Sequence, residues 1–262
     1  MDNLLEESAE ISRLESDNCD GCNWYHGLWQ TFRLLNVVVS AEQHREYYTQ
    51  QLESIQPEHV MISGTSDYAM LSIVKDALPD SQVMVVDKCS TPLKINQWYA
   101  EKKGYNIGTK QSDIIDMDST GWEFDCVITD CLFTFIHLMD RVETIRKWRS
   151  LLKTGGRFIM VNRLREKDDE QKEFTDEEKH IFMQKVLEAP ELPDTGKGFL
   201  TWCAHIFVNN FRYYHTDESI IDLFLENGFE IEELHISGEN TDSSAPSTTG
   251  DARRVYMTMR AI

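Results

Sequence analysis

Short apolar runs alternate with stretches that are apolar at helical spacing through most of residues 58–236. The runs VMI at 60–62, VMVV at 83–86 and CVI at 126–128 are typical of strands that are buried on both faces. Between the first two runs, one helix face is outlined by Tyr68, Leu71, Val74, Ala77 and Leu78. Because strands and helices alternate in this way, the pattern predicts a parallel sheet with helices on both faces.

The same pattern predicts the remaining elements of this α/β unit. They are a helix from Ser90, as its N-cap, to Gly104, a strand at 105–108, a strand at 124–129, a helix at 138–152, a strand at 157–161, a helix capped by Thr216 and strands at 229–236 and 254–259. The intervening segment 237–251 is polar and rich in serine and threonine, so we expect a long loop there.

A loop of small residues, at 63–66, separates the first strand from its helix, and the second strand ends at Asp87. In open α/β sheets, ligands bind at the carboxyl edge of the strands, where this loop and this acid would meet. An acid about 20 residues past such a loop can accept hydrogen bonds from a ribose diol. A dinucleotide fingerprint would have three glycines and this loop has only Gly64, so the residues leave open both a nucleotide site and a buried βαβ unit without a ligand.

Two aromatic segments, 24–32 and 199–214, lie outside the predicted core strands. We divide the chain into an N-terminal helical lid segment, 1–56, and an α/β domain, 57–262, which carries a helical and aromatic cap insertion at about 163–215. We expect both aromatic segments to converge over the carboxyl edge of the sheet. Within the divisions, the sequence predicts a helix over 23–36 and capping boxes at Ser40 with Gln43 and at Thr175 with Glu178.

The net charge of −19 over 262 residues changes the range of expected partners. A surface that binds nucleic acid or an anionic membrane needs clustered Lys and Arg, and the sequence has no such cluster. The acidic N-terminus lacks the basic start and apolar core of a signal peptide, and no apolar run approaches the ~20 residues of a membrane span. We therefore expect a cytoplasmic protein with reduced thiols.

Cys19 and Cys22 are followed four residues later by His26, and thiolates with imidazole are ligands that zinc prefers. A closed zinc site needs a fourth ligand, and the sequence has no second C-x-x-C pair. Cys203 and His205 could supply ligands only if the chain folded back. We therefore predict two reduced cysteines beside a turn, and no bound metal.

With its elements in order, the chain resembles the class I S-adenosylmethionine-dependent methyltransferases from about Glu58 to the C-terminus. The resemblance implies a Rossmann-like, seven-stranded, mostly parallel sheet with an antiparallel last strand. No single motif is specific, but their order and spacing together are. The matching segments are VMISGTSDYAML, VMVVDK, QSDI, FDCVITD, WRSLLKTGGRFIM, HTDESIIDLFLENGFEIEEL and RRVYMTMRAI.

The resemblance also implies the residues that bind the cofactor, S-adenosylmethionine. An aromatic segment before the first strand would cover it, and Arg33 could pair with its carboxylate, although we favour a surface charge for Arg33. The implied cofactor residues are Gly64, Thr65 and Ser66 beside the methionine part, Asp87, Lys88 and Cys89 beside the ribose and adenine, Asp113 and Ile114 at the adenine, Asp130 and Cys131 near the methyl group, and Tyr25, His26 and Trp29 in the lid.

We expect a small-molecule acceptor for O-, N- or S-methylation, held in an apolar, aromatic-lined chamber of a monomer or homodimer. Among the histidines on segments expected to face the site (His26, His137, His205 and His215), we select His205 and His215, with Tyr213, as candidate catalytic residues. Two alternatives stay open: a nicotinamide-dependent oxidoreductase, and a non-catalytic nucleotide-binding protein of the same fold.

Overall fold

The computed structural model describes nearly the whole chain. The predicted loop at 237–251 falls almost entirely outside the described residues. The described residues are 3–19, 21–35, 38–118, 120–172, 174–188, 194–238 and 253–262.

One seven-stranded sheet forms the centre of the molecule, in the order β3-β2-β1-β4-β5-β9-β8. Only β9 runs against its neighbours in this sheet, which confirms the predicted parallel sheet with an antiparallel last strand. A separate two-stranded ribbon pairs β6 with β7. The strands are β1 His59–Ser63, β2 Gln82–Asp87, β3 Ile107–Gln111, β4 Phe124–Asp130, β5 Leu152–Arg163, β6 Glu170–Lys172, β7 Phe211–Tyr213, β8 Phe229–Ser237 and β9 Arg254–Ala261.

Helices cover both faces of the sheet and also precede it. Short 3-10 turns at 41–44 and 138–140 lead into α4 and α7. None of the helices within the described ranges combines the length and apolar character needed to cross a membrane. The α-helices are α1 Asn3–Glu15, α2 Asn23–His26, α3 Trp29–Leu34, α4 Arg45–Ile55, α5 Ala69–Ala77, α6 Ser90–Lys103, α7 Arg141–Leu151, α8 Asp176–Leu187, α9 Asp194–Asn209 and α10 Asp217–Leu225.

The apolar strands are buried because both faces of the sheet carry a core. Successive side chains of a strand point to opposite faces, so Ile62 packs with residues of α4 and α5 while Met61 packs with Trp148 of α7 and Phe224 of α10. Ile62, Met61 and Trp148 have no exposed surface. This two-sided burial explains why β1 is a continuous apolar run in the sequence.

A third apolar cluster joins the two aromatic segments, which are far apart in the sequence. The ring of Phe32 in α3 lies 5.3 Å from Phe182 in α8 and 5.2 Å from Phe207 in α9. We call residues 23–35, 174–188 and 194–213 the cap. Aromatic rings at these separations contribute beyond the burial of their area, so the cap has a core of its own.

Three local expectations differ from the structure. The helix expected over 23–36 is two helices, because the chain turns at Gly27, where a side chain would clash with Ser16. Ser90 is the first residue of α6 and not its N-cap, a place taken by Cys89 without a side-chain bond. The third strand begins later, at Ile107, because its register is set by pairing with Val83 of β2. Both predicted capping boxes are confirmed.

Candidate active site

A cavity of about 490 Å³ opens at the carboxyl ends of β1, β2 and β4, between the sheet and the cap. Open α/β sheets bind their ligands at this edge. Most of the predicted cofactor residues line it: Gly64, Thr65, Ser66, Asp87, Lys88, Cys89, Asp113, Ile114, Asp130, Tyr25 and His26. A larger groove of about 1370 Å³ lies at the amino ends of the strands, beside His59 and Gln82, where this fold does not bind ligands.

The loop after β1 turns sharply at Gly64, whose φ is +69°. A Cβ at this position would lie 2.7 Å from the side chain of Leu132, so both the backbone angle and the space require glycine. The Gly64 N–H donates to the carbonyl of Val86 at 2.8 Å, which holds the loop against the end of β2. One glycine is therefore sufficient to shape a loop that usually carries more.

Asp87 holds two loops together at the end of β2. Its carboxylate accepts the N–H of Thr65 at 3.0 Å and the N–H of Cys89 at 2.7 Å. Burial raises the pKa of Asp87, while the nearby His26 and these backbone donors act in the opposite direction. The carboxylate thus fixes the loop after β1 as well as lining the cavity.

The end of β4 is fixed by Tyr48, a fully buried residue of α4. Its hydroxyl lies 2.9 Å from both the Thr129 carbonyl and the Asp130 carboxylate, and accepts the N–H of Val161 at 3.0 Å. These contacts place Asp130 at the cavity wall. Sequence reasoning missed Tyr48, because its helix pattern contains no signal for a bond to the sheet.

A second, small cavity of about 40 Å³ adjoins the first, and Tyr25, Ser66, Asp130, Phe135 and Arg212 line both. The two predicted cofactor residues that are absent from the larger cavity, Trp29 and Cys131, line this one. Its remaining walls are Val39, Arg163, Phe207 and Arg254.

The cap is attached to the loop after β1 by polar contacts. Tyr25 shares a hydrogen bond of 2.8 Å with Ser66, and Trp29 donates to Asp67 at 3.0 Å. Arg33 forms an ion pair of 3.0 Å with Asp67, and the two side chains are only 11% and 5% exposed. The prediction of a surface charge at Arg33 was therefore wrong. Asp67, which the sequence analysis did not identify, links the cap to the loop after β1.

Cys89 completes a cluster with Cys19, Cys22 and His26, whose ligand atoms all lie within 4.8 Å of one another. The Cys22 and Cys89 sulfurs are 3.1 Å apart, and Nδ1 of His26 is 3.4 Å from both Cys19 and Cys22. Hydrogen bonds with Cys22 and Cys89 lower the pKa of Cys19. Burial acts to lower the pKa of His26, but its bonds with Cys19 and Cys22 outweigh burial and raise that pKa to about 9.

The three residues selected as catalytic are not together. Tyr213 lines the larger cavity, with its ring 4.9 Å from that of His137, which also lines it. His205 lies on the exposed side of α9 and does not line either cavity.

His215 is 1% exposed and lies away from the cavity. Its Nδ1 atom is 3.1 Å from the Arg141 guanidinium and 3.3 Å from the Ser219 hydroxyl. Burial and Arg141 lower the pKa of His215 to about 3, so it is neutral at pH 7. This geometry gives His215 a role in packing, because its ring does not reach the cavity.

A family model described as a methyltransferase domain matches residues 63–219, which is more than half of the chain. The chain belongs to this methyltransferase family. The match confirms the resemblance to S-adenosylmethionine-dependent methyltransferases, and with it the enzyme class and the cofactor that the resemblance implied.

Individual relatives are similar over part or all of the chain. A carboxy-S-adenosyl-L-methionine synthase from Campylobacter hominis is 31% identical over 101 residues, which cover 38% of this chain and 42% of that protein. This chain therefore matches less than half the length of that relative.

Solved structures share the fold at low sequence identity. A 1,6-didemethyltoxoflavin-N1-methyltransferase from Burkholderia thailandensis, with S-adenosylhomocysteine bound, is 15% identical with a TM-score of 0.59, over 98% of this chain and 89% of that one. The N-methyltransferase NodS from Bradyrhizobium japonicum, also with S-adenosylhomocysteine, is 12% identical with a TM-score of 0.53, over 99% of both chains.

Proposed function

We propose that the protein transfers the methyl group of S-adenosylmethionine to a small organic acceptor that carries an anionic group. The observation that carries this proposal is the pair of adjoining cavities between the sheet edge and the cap. Cofactor residues line the larger one, and three arginines line the smaller one.

The residues at the sheet edge fit the cofactor. Asp87, at the end of β2, is suited to accept hydrogen bonds from ribose hydroxyls, and Asp113 with Ile114 lies where the adenine would be. Gly64 lines the cavity in the loop after β1, beside which the methionine part would lie. When bound, S-adenosylmethionine supplies an electrophilic methyl group on a sulfonium, which an acceptor atom takes by in-line displacement.

The size of the cavities supports a small acceptor. A volume of about 490 Å³ lies within the roughly 300–1,000 Å³ of typical small-molecule sites, and the cofactor would occupy part of it. The cap contributes Trp24, Tyr25 and Tyr213 to the walls, and Phe135, which follows β4, adds a fourth aromatic ring. A cavity of this size beneath a cap favours a small molecule over a polymer.

The charge of the smaller cavity supports an anionic group on the acceptor. Among the described residues that line it, Arg163, Arg212 and Arg254 are cationic and Asp130 is anionic, and each of the three arginines is 6% exposed or less. Guanidinium groups bind carboxylates and phosphates through paired hydrogen bonds. A cavity of about 40 Å³ has room for such a group but not for a ring system.

The chain's own contribution to catalysis is positioning. Methyl transfer by displacement depends mainly on holding the acceptor atom close to the methyl group and in line with it. Tyr213 and His137 line the cavity and are suited to orient the acceptor. The Nδ1 atom of His137 accepts the N–H of Met139 at 3.3 Å, so in the neutral ring the proton is on the other nitrogen, which can act as a donor.

The test is a screen for methyl transfer from labelled S-adenosylmethionine to a library of small molecules that contains matched pairs of acids and amides. We expect transfer to acids, with KM at least about tenfold lower than for the matched amides, the size of one charged hydrogen-bonded contact. Transfer only to protein or nucleic acid would contradict the small acceptor, and equal KM values for acids and amides would contradict the anionic group.

Arg212→Met offers a direct check on the smaller cavity. The substitution keeps much of the apolar volume and removes the charge, so KM for the acid should rise while KM for the amide changes little. Lys147→Met is the matched control, because Lys147 donates to the carbonyl of Met117 and does not line either cavity.

A further inference from the structure

We propose that Cys19, Cys22, His26 and Cys89 bind one zinc ion, which fastens the N-terminal segment to the loop after β2. The sequence alone predicted no metal, because it offered three ligands and no nearby fourth. The fold supplies the fourth from Cys89, 67 positions after Cys22 in the chain. The proposal is independent of the identity of the acceptor.

The donor atoms already have nearly the spacing that zinc requires. Tetrahedral zinc with Zn–S bonds of about 2.3 Å and Zn–N bonds of about 2.0–2.1 Å places sulfurs about 3.8 Å apart and sulfur about 3.5 Å from nitrogen. Both sulfur-to-Nδ1 distances to His26 are 3.4 Å, and all four atoms lie within 4.8 Å of one another. Shifts of less than about 1 Å would complete the tetrahedron.

The local chain is shaped as a ligand loop. Gly21, between the two cysteines, has a φ of +76° and open space around it, which lets the chain turn back between Cys19 and Cys22. Cys22 directly precedes α2, and the N–H of His26 donates to the Cys22 carbonyl at 3.0 Å. One turn of helix thus returns His26 to the side of Cys22, and a C-x₂-C spacing is typical of structural zinc sites.

The surroundings of the cluster suit thiolate ligands. Cys19, His26 and Cys89 are each at most 7% exposed, and neighbouring donor atoms of the cluster are in direct contact at 3.1–3.4 Å. The Thr91 hydroxyl, fully buried, lies 2.8 Å from the Cys19 sulfur and can donate to it. Hydrogen bonds to the ligands are a regular feature of metal sites, because they orient the ligand and stabilise its charge.

The position of the cluster indicates what the metal does. Cys89 follows Asp87 by two residues, and its N–H donates to the Asp87 carboxylate at 2.7 Å. Cys22 directly precedes α2 and His26 is its last residue, and this helix carries Tyr25 to the cavity wall. A zinc ion here would hold the cap against the cofactor side of the cavity, so its loss should loosen the cap and weaken cofactor binding.

The first experiment measures metal in the tag-free protein, purified without chelators from zinc-supplemented medium. We expect about one zinc per chain by elemental analysis. Replacement by cobalt(II) should give the intense visible bands of tetrahedral cobalt with thiolate ligands. Neither measurement involves methyl transfer, so both test the zinc site independently of the proposed function.

The second experiment compares Cys89→Ser with Cys203→Ser. Both change one buried thiol to a hydroxyl, but Cys203 lies in α9, outside the cluster. Zinc content should fall to less than about a fifth in Cys89→Ser and stay near one in Cys203→Ser. S-adenosylhomocysteine should bind Cys89→Ser about tenfold more weakly than the wild type. This is the loss expected when the closed cap is populated only about a tenth of the time without the metal.

Three outcomes would overturn the proposal, and none requires a variant to fold. The first is wild-type protein without stoichiometric zinc after zinc supplementation. The second is iron with sulfide in its place. The third is a mass two hydrogens lower with two fewer free thiols, because the Cys22 and Cys89 sulfurs, 3.1 Å apart, would then form a disulfide.

Discussion

The sheet-edge wall of the cavity and the cap wall are built by different kinds of contact. The sheet-edge wall follows from backbone pairing: Ser63 pairs with Val86 and Ile62 with Ile128, so the ends of three strands are fixed together. The cap rests on side chains, chiefly its aromatic cluster and the bonds of Tyr25, Trp29 and Arg33 to the loop after β1.

Because the two walls are built differently, a substitution can loosen the cap without disrupting the cofactor side of the cavity. A backbone ladder tolerates changes of side chain, so the cofactor side should stay formed in most variants. The cap is joined by a few side-chain contacts, so single substitutions can loosen it. Four substitutions, in order of the expected effect, and one ligand-binding measurement on the wild type test this contrast.

Asp67→Ala should have the largest effect, because it leaves Arg33 buried without its partner at the join between cap and sheet. Breaking a buried ion pair on one side typically costs about 3–5 kcal/mol. We expect a loss of this size in the free energy of unfolding, measured by urea denaturation. The double variant Asp67→Ala with Arg33→Met should recover part of it, since no unpaired charge remains. A loss below about 1 kcal/mol, which is typical of an exposed ion pair, would contradict the prediction.

Asp87→Ala should weaken the binding of S-adenosylhomocysteine by about 1–3 kcal/mol, since a charged acceptor for the ribose is lost together with the anchor of two loops. Titration calorimetry measures the change. Asp80→Ala is the control, because Asp80 is exposed at the opposite end of the sheet. Unchanged affinity in Asp87→Ala would remove Asp87 from the cofactor site.

His215→Gln tests the point where the cap insertion returns to the sheet. The pKa of His215 is lowered to about 3, so between pH 6.5 and 5 the unfolded chain takes up a proton and the folded one does not. The free energy of unfolding should therefore decrease as the pH is lowered through this window, by up to about 1.4 kcal/mol per pH unit. Urea denaturation at pH 7, 6 and 5 should show a shallower fall in the variant. Equal slopes would mean that His215 does not titrate as its burial implies.

Tyr25→Phe should have the smallest effect, because it keeps the aromatic ring and removes the hydrogen bond to Ser66, worth about 0.5–1.5 kcal/mol. Hydrogen exchange in residues 23–35 should become about two- to tenfold faster. Tyr47→Phe is the matched control, since its hydroxyl is bonded to Thr258 on the sheet.

In the wild type, binding of S-adenosylhomocysteine should slow hydrogen exchange in residues 24–32 and 199–209. If only the loop at 63–68 gains protection, the cap does not close over the ligand.

The sequence by itself was sufficient for the sheet and for its ligand-binding edge. Apolar runs such as VMI at 60–62 indicate strands buried on both sides, and helical spacing between them fixes the alternation that makes the sheet parallel. Once the strands were known, chain order alone put Gly64, Asp87 and Asp130 at one edge, because the carboxyl ends of parallel strands meet there.

Only the tertiary structure decided which distant side chains meet. No local pattern couples Cys89 to Cys22, Asp67 to Arg33 or His215 to Arg141, because each contact is set by how whole helices and loops pack. His205 and His215 are only ten positions apart in the chain, yet packing exposes one and buries the other. The chain's periodicity therefore determined its elements and their order, whereas the side-chain contacts that close the cavity depended on long-range packing, which periodicity does not encode.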